Sequence, residues 1–462
     1  MKVYRRWAGL TMVFALLLGT TISLTSSAFY YSGYVNSFLG LGGETMEVTE
    51  GTNYFPSAYG ELIAENSDKL IEAEIAHNIQ AMHEGAVLLR NEDNALPLAE
   101  DERSITLFGN SVKAPVYQTN AGNASFNVDR GGALVEAFTS AGFRVNQTMY
   151  DAYVNSGVER VSSSTPGASS IGEVDISFYT EELKNSYAND YNDVAVVMLT
   201  RYGGEGVDLD YQQDVDGIPL LALHPQEEDL LKMIKESGKF EKTVVLINSP
   251  YAMDVEWIES EEYGVDACLT FGAAGDVGFI GIADILTGKA DVSGHLADTW
   301  ATDSKSSPAM QNFGDYTFTN HDTKYERNYV VYAEDIYVGY KYYETRYQDC
   351  VLGINNADSI AGAFASTAGW NYAEEMAYPF GYGLSYTDFN ASLTGIKTDM
   401  EEAAIPYSFK NKLQVEIELE NTLPNSGVYT LNWYLIYLGD PIEFVSAFAG
   451  DELLGNGDEI SA

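Results

Sequence analysis

Cysteine and histidine are scarce in this sequence: its 462 residues hold two Cys, Cys268 and Cys350, and five His. Two cysteines this far apart make neither a disulfide framework nor a metal site. Cys268 sits between Ala267 and Leu269 in an apolar run and reads as a small buried hydrophobe. His77, His83, His224, His295 and His321 are scattered without ligand spacing, and His77 and His83 stand too far apart to share a helix face. No catalytic metal and no cofactor are expected. Cations are scarce too: 25 Lys and Arg face 68 Asp and Glu, a formal net charge of −43. Such a surface repels phosphate backbones, which argues against a nucleic-acid partner. It reads as solubility in a salty or extracellular setting. A Gly-x-Ser-x-Gly elbow is missing, as is a phosphate-binding glycine loop with Lys-Ser/Thr. Gly275-Asp-Val-Gly278 opens a helix, but no dinucleotide fingerprint follows the right strand. Its glycines fit tight strand-to-helix packing.

One long apolar run is present, at the N-terminus. Lys2, Arg5 and Arg6 precede a mostly apolar stretch from Trp7 to Leu24, and Ser26 and Ala28 offer small residues for cleavage after Ala28. Residues 1–28 are thus an export signal or, if uncleaved, a single membrane anchor. Either way the bulk of the chain is expected outside, extracellular or membrane-anchored, with the basic flank inside.

Residues 29–66 read as a Gly, Ser and Tyr-rich spacer. A helix then starts at Ser67, with Ile71, Ile75, Ile79 and Met82 on one stripe. From Ile105 onward short apolar strands alternate with helices. Asp193–Leu199 and Lys242–Asn248 are continuous apolar runs, as in strands covered on both faces. Pro225 suits the first turn of a helix over about 225–236, Glu227, Glu228 and Asp229 complement its start, and Gly238 lies just past its end. A further helix is predicted over about 278–286. The fold class is α/β, a mostly parallel sheet sandwiched by helices over 67–300, extended through 301–387. From 388 to 462 the pattern turns strand-like: Leu413-Gln-Val-Glu-Ile-Glu-Leu-Glu420 alternates strictly, and Val428–Leu438 reads as its neighbour, giving a partial β-sandwich.

Ligands of open α/β sheets bind beyond the carboxyl ends of the strands. The strand ending at Leu199 leads into Thr200-Arg-Tyr-Gly-Gly-Glu-Gly-Val-Asp208, which holds Glu205 among three glycines. By itself so short a pattern reads first as an exposed acidic turn. The following Asp208, Asp210, Asp214 and Asp216 lack the spacing of an EF-hand and read as a solvated acidic loop.

The order of several strings identifies a family. Glu84-Gly-Ala-Val-Leu-Leu-Arg-Asn-Glu-Asp-Asn-Ala-Leu-Pro-Leu98, Gly204-Glu-Gly-Val-Asp208 and Ala283-Asp-Ile-Leu-Thr-Gly288 with Ser293-Gly-His-Leu296 come first. Asp335-Ile-Tyr-Val-Gly-Tyr-Lys-Tyr-Tyr-Glu344 and Tyr378-Pro-Phe-Gly-Tyr-Gly-Leu-Ser-Tyr386 follow. The chain resembles the non-barrel half of family 3 glycoside hydrolases, the β-glucosidase and β-xylosidase group. Its strand-rich tail is similar to that family's fibronectin-III-like domain. The resemblance implies hydrolysis of O-glycosyl bonds in a β-linked oligosaccharide or glycoside by a retaining mechanism, with two carboxyl groups about 5 Å apart. It implies that Glu205 is the general acid/base, and that an Asp nucleophile comes from a TIM barrel in a Ser/Thr-Asp-Trp string. No such string occurs in these residues; Ala297-Asp-Thr-Trp300 has an extra Thr and lies in the wrong domain.

The expected arrangement is therefore a member with permuted domain order, its barrel supplied in cis or in trans and the isolated chain inactive. Leu209 stands where the family often has Arg, and Asp276-Val-Gly-Phe279 replaces Gln-Glu-Gly-Gly. These departures keep open an alternative, a non-catalytic cell-surface relic that binds carbohydrate or spaces other domains.

Overall fold

The computed structural model describes residues 2–39, 67–118, 127–161, 170–203, 218–314, 316–320, 328–332, 334–357, 370–387, 389–398, 413–421, 428–436 and 443–446. The chain divides into two compact units, residues 1–70 and 71–462.

In the first unit the apolar run is one continuous helix, Lys2–Tyr30, followed by a short helix, Ser32–Phe38. Within its span Val3–Tyr30 an 18-residue stretch has a mean hydropathy of 1.8, so the helix is long and apolar enough to cross a membrane. Phe14, Leu16 and Leu18 are all exposed on it.

The second unit is built on a six-stranded sheet. Its strands are β1 (Val87–Asn91), β2 (Ser104–Phe108), β3 (Arg144–Val145), β4 (Val194–Thr200), β5 (Lys242–Asn248) and β6 (Ala267–Phe271). Their spatial order is β1-β6-β5-β4-β2-β3. All neighbours are parallel except β1, which runs antiparallel to β6 on the outer edge. Every residue of β4 is buried, as are six of the seven in β5. That burial explains why both strands read as unbroken apolar runs rather than alternating ones.

Helices cover the sheet as their sequence punctuation predicts. Pro225–Ser237 starts with Pro in its first turn and stops at Gly238, whose φ of +56° suits a left-handed cap. Gly278–Leu286 is almost wholly buried, and Met82 of the helix Ser67–Gly85 lies over Gly278 and Gly281. Here the small residues let two helices approach closely. The segment Tyr378–Tyr386 straps this assembly down. Leu384 N–H donates to the Leu88 carbonyl at 2.9 Å, Tyr382 Oη to Leu89 at 3.1 Å and Tyr386 Oη to Ile285 at 3.0 Å. Asp291 accepts from the Tyr386 amide and from the Ser385 and Thr387 hydroxyls. Two of the recognisable strings, 84–98 and 378–386, thus serve packing.

The described residues of 301–387 hold more regular structure than their loose sequence pattern indicates. A helix, Tyr340–Leu352, carries a satellite core of Tyr342 and Tyr343 with Ala301 and Ala357. Tyr343 Oη meets the Ser306 hydroxyl at 2.5 Å, and Arg346 is fully buried near the Trp370 ring. Beyond it, strands Phe389–Thr398, Leu413–Asn421, Val428–Ile436 and Glu443–Ser446 form a four-stranded antiparallel sheet. Its register sets Val415, Ile417 and Leu419 opposite Trp433, Leu431 and Tyr429, so apolar positions meet apolar ones.

Candidate functional site

The connection order of the sheet reverses between β2 and β4: the chain passes outward from β2 to β3, then returns to build β4, β5 and β6 on the other side. In open α/β sheets such a reversal opens a crevice outside the strand ends, where ligands bind. The segments that leave those ends are Gly109 to Gln118 after β2, Arg201 to Gly203 after β4, Ser249 to Val255 after β5 and Gly272 to Val277 after β6.

These segments are tied to one another. Gly109 has φ +91°, and a Cβ there would stand 2.6 Å from the Met198 carbonyl oxygen, so the chain can turn off β2 against β4 only at glycine. Asn248, fully buried at the end of β5, accepts from Val116 N–H at 2.6 Å and donates to the Val116 and Gly272 carbonyls. One amide therefore holds the exits of β2 and β6 together. Ala274 and Gly275 add backbone hydrogen bonds to Val116 and Tyr117.

The exit of β4 is held by ions and hydroxyls. Thr200 Oγ1 lies 2.8 Å from Ser111 Oγ and accepts from Arg160 at 2.6 Å. The Arg160 guanidinium also lies over the Tyr202 ring, 5.2 Å from its centroid. Arg201 is only 2% exposed. Its fork meets both carboxylate oxygens of Glu227, at 2.8 and 2.9 Å. The same guanidinium donates to the carbonyls of Thr200, Leu220 and Ala222. Glu227, third residue of its helix, also accepts from His224 N–H at 2.9 Å and so caps the helix start.

Two further carboxyls sit at this edge. Glu173 accepts from the Asn110 and Val174 amides, and burial pushes its carboxyl up to about 8, although the residue keeps some exposed surface. Asp254 is pushed up to about 6 by burial, with Asp303 adding like charge and its hydrogen bonds from Ser304 opposing. Neither was evident in the sequence, since each depends on neighbours about 50 or more residues away.

Glu205 and the acidic stretch from Asp208 to Gly217 lie outside the described residues. The two ends between which they fall are described: Gly203 is buried and Ile218 half-buried. Asp276 pairs with Arg130 at 3.1 Å and accepts from Asn127 N–H at 2.7 Å. It borders a cleft of about 370 Å³ at the end of β6, lined also by Asn78, Met82, Gly272 and Ala274. Among the described residues no three His, Cys, Asp or Glu side chains are grouped to hold a metal ion.

The profile of the glycosyl hydrolase family 3 C-terminal domain matches residues 86–340. The chain is 28% identical over 346 residues to beta-glucosidase A of Butyrivibrio fibrisolvens, covering 71% of this chain and 37% of that protein. It is 28% identical over 317 residues to a beta-glucosidase of Ruminococcus albus, covering 68% of this chain and 28% of the relative. The chain thus spans about a third of the length of these curated relatives. Beta-glucosidase 3B from Thermotoga neapolitana, solved in complex with glucose, superposes with a TM-score of 0.53 at 27% identity. That match covers 78% of this chain and 43% of the solved one. More than half of the sequence lies inside the matched profile, the α/β sheet is the one expected of it, and the chain belongs to glycoside hydrolase family 3.

Proposed function

We propose that this chain is the acid/base-bearing half of a retaining β-glucosidase-type hydrolase acting on β-linked glycosides. Glu205 protonates the departing glycosidic oxygen and then, as carboxylate, draws the proton from the water that releases the sugar. The attacking carboxylate is an Asp on a TIM barrel, supplied in cis or in trans, because these 462 residues contain no Ser/Thr-Asp-Trp string. The observation that carries this reading is positional: β4, next to the sheet's reversal point, runs through Arg201 directly into the glycine-flanked Glu205. Enclosure between sheet edge and barrel would raise the Glu205 pKa, as a general acid needs. The helix Lys2–Tyr30, with its basic start, supports an exported or membrane-anchored protein whose remaining residues work outside the cytoplasm.

The test begins with aryl β-glucosides. The purified 462-residue chain alone is expected to leave them intact, and turnover by it would overturn the placement of the nucleophile. The coding DNA past codon 462, or a neighbouring gene, should carry a barrel with Ser/Thr-Asp-Trp. Once that barrel is present, Glu205→Ala should lower turnover of substrates with poor leaving groups by about 10²–10⁴-fold. Dinitrophenyl glucoside, whose leaving group needs no proton, should lose far less. Equal loss on both substrates would remove Glu205 from the acid role. Binding of glucosides without turnover in the complemented protein would favour the carbohydrate-binding relic.

A further inference from the structure

The helix Lys2–Tyr30 carries more than an export signal requires. We propose that it stays on the working protein as a permanent lipid anchor, the long helix crossing the bilayer and the short helix Ser32–Phe38 resting at its outer surface. This deepens the reading of an exported chain given above and rests on it.

Length is the first argument. At about 1.5 Å per residue, the 29 residues of the helix measure about 43 Å, against roughly 40–45 Å for a bilayer with its headgroups. The apolar run Trp7–Leu24 already exceeds the roughly 7–15 residues of a signal core, and the next charged residue is Glu44. Aromatic rings mark both ends, Tyr4 and Trp7 on the basic side and Phe29, Tyr30 and Tyr31 on the other, all of them exposed. Trp7 and Tyr30 lie about 35 Å apart along the axis, slightly more than the roughly 30 Å hydrocarbon core. Both sets of rings therefore fall at an interface, where Trp and Tyr are favoured.

The second argument is what could cover the helix. Leu16, Leu17 and Leu18 point about 100° apart around its axis, and they are 72%, 57% and 63% exposed. A helix apolar on every face belongs in a medium that covers every face, and a docking groove covers only one. Its polar groups suit such a medium. Thr11 Oγ1 donates to the Trp7 carbonyl at 3.0 Å, and the Thr20 and Thr21 hydroxyls donate to that of Leu17 at 2.9 and 2.8 Å. These hydroxyls need no water.

The third argument is the continuity of the helix past the cleavage point. Ser26 and Ala28, the small residues a signal peptidase would read, lie inside it. Tyr31 N–H donates to the Ser27 carbonyl at 3.0 Å, and Ser32 Oγ to that of Phe29 at 2.7 Å. A peptidase takes its substrate extended, so a cut after Ala28 requires this turn to unwind first. Beyond it Tyr34, Val35 and Phe38 are exposed on an uncharged short helix, an apolar foot for the headgroup layer.

Expression of the full chain in a bacterial host tests the anchor. After an alkaline carbonate wash the protein should remain in the membrane pellet, and its intact mass should include the residues ahead of Phe29. Soluble protein outside the cells that begins at Phe29 would overturn the anchor and leave export standing. Soluble full-length protein in the cytoplasm would overturn both. Depth is read in a Cys350→Ser background, which removes the exposed thiol and leaves only buried Cys268. Gly19 and Gly33 each face open space where a side chain would stand, so Cys fits at either. A charged maleimide added outside intact protoplasts should label Gly33→Cys at least about tenfold faster than Gly19→Cys, which lies at mid-span. Equal labelling of the two, or labelling of Gly33→Cys only after the protoplasts are opened, would overturn the proposal.

Discussion

At the scale of the residue, the sheet's carboxyl edge holds carboxyls that are largely, though not wholly, screened from water. Glu173 has a folded pKa of about 8 against an ordinary 4.5, with burial as the main cause. The folded protein therefore retains a proton that the unfolded chain releases, and stability falls as pH rises from about 4.5 to about 8. Asp254, at about 6, adds a fall of the same sign at the lower end of that window. Glu173→Gln keeps an oxygen for the Asn110 and Val174 amides and is neutral at every pH. It should flatten the decline by up to about 1.4 kcal/mol per pH unit, read as the urea midpoint at several pH values between about 5 and about 8. An unaltered slope would show that Glu173 is not its source. Glu205 could be singled out from the sequence because glycines and family strings surround it. Arg201 and Glu173 could not. A lone Arg after an apolar strand acquires meaning only from Leu220, Ala222 and Glu227, which the chain brings back later.

At the scale of the element, the seam between β2 and β4 depends on backbone fit. Gly109→Ala would place a methyl against the Met198 carbonyl at a positive φ, and should cost about 2 kcal/mol or more. Gly238→Ala is the control: its φ is +56° but nothing lies within 4 Å of the added carbon, so about 1 kcal/mol is expected. Thermal denaturation of both variants decides whether close approach or dihedral strain dominates at Gly109. Several elements were legible in advance for physical reasons. β4 and β5 are buried on both faces and so appear as unbroken apolar runs, while Pro225 and Gly238 mark where a helix can start and must stop. Others were not. β3 is two residues long, and the helices Gln147–Val154 and Glu181–Tyr187 span only two turns. Tyr340–Leu352 hides its buried face behind Tyr and Arg rather than Leu and Ile, so its periodicity did not register.

At the scale of the whole molecule, a net charge of −43 means that compaction works against self-repulsion. Raising salt from about 0.02 to about 0.5 M shortens the screening length several-fold and should raise the melting midpoint by a few degrees. A midpoint insensitive to NaCl would mean that the acidic residues are already locally neutralised. The antiparallel edge strand has a different bearing, on the timing of folding. Val87 pairs with Thr270, and all of the chain between them must be made first. At roughly 5–20 residues per second of synthesis, β1 waits on the order of ten seconds or more with its apolar residues unpaired. Of the six strands of this sheet, the first to be made is thus among the last to be seated, and a chaperone has a defined target in Ala86 to Leu89 until β6 arrives.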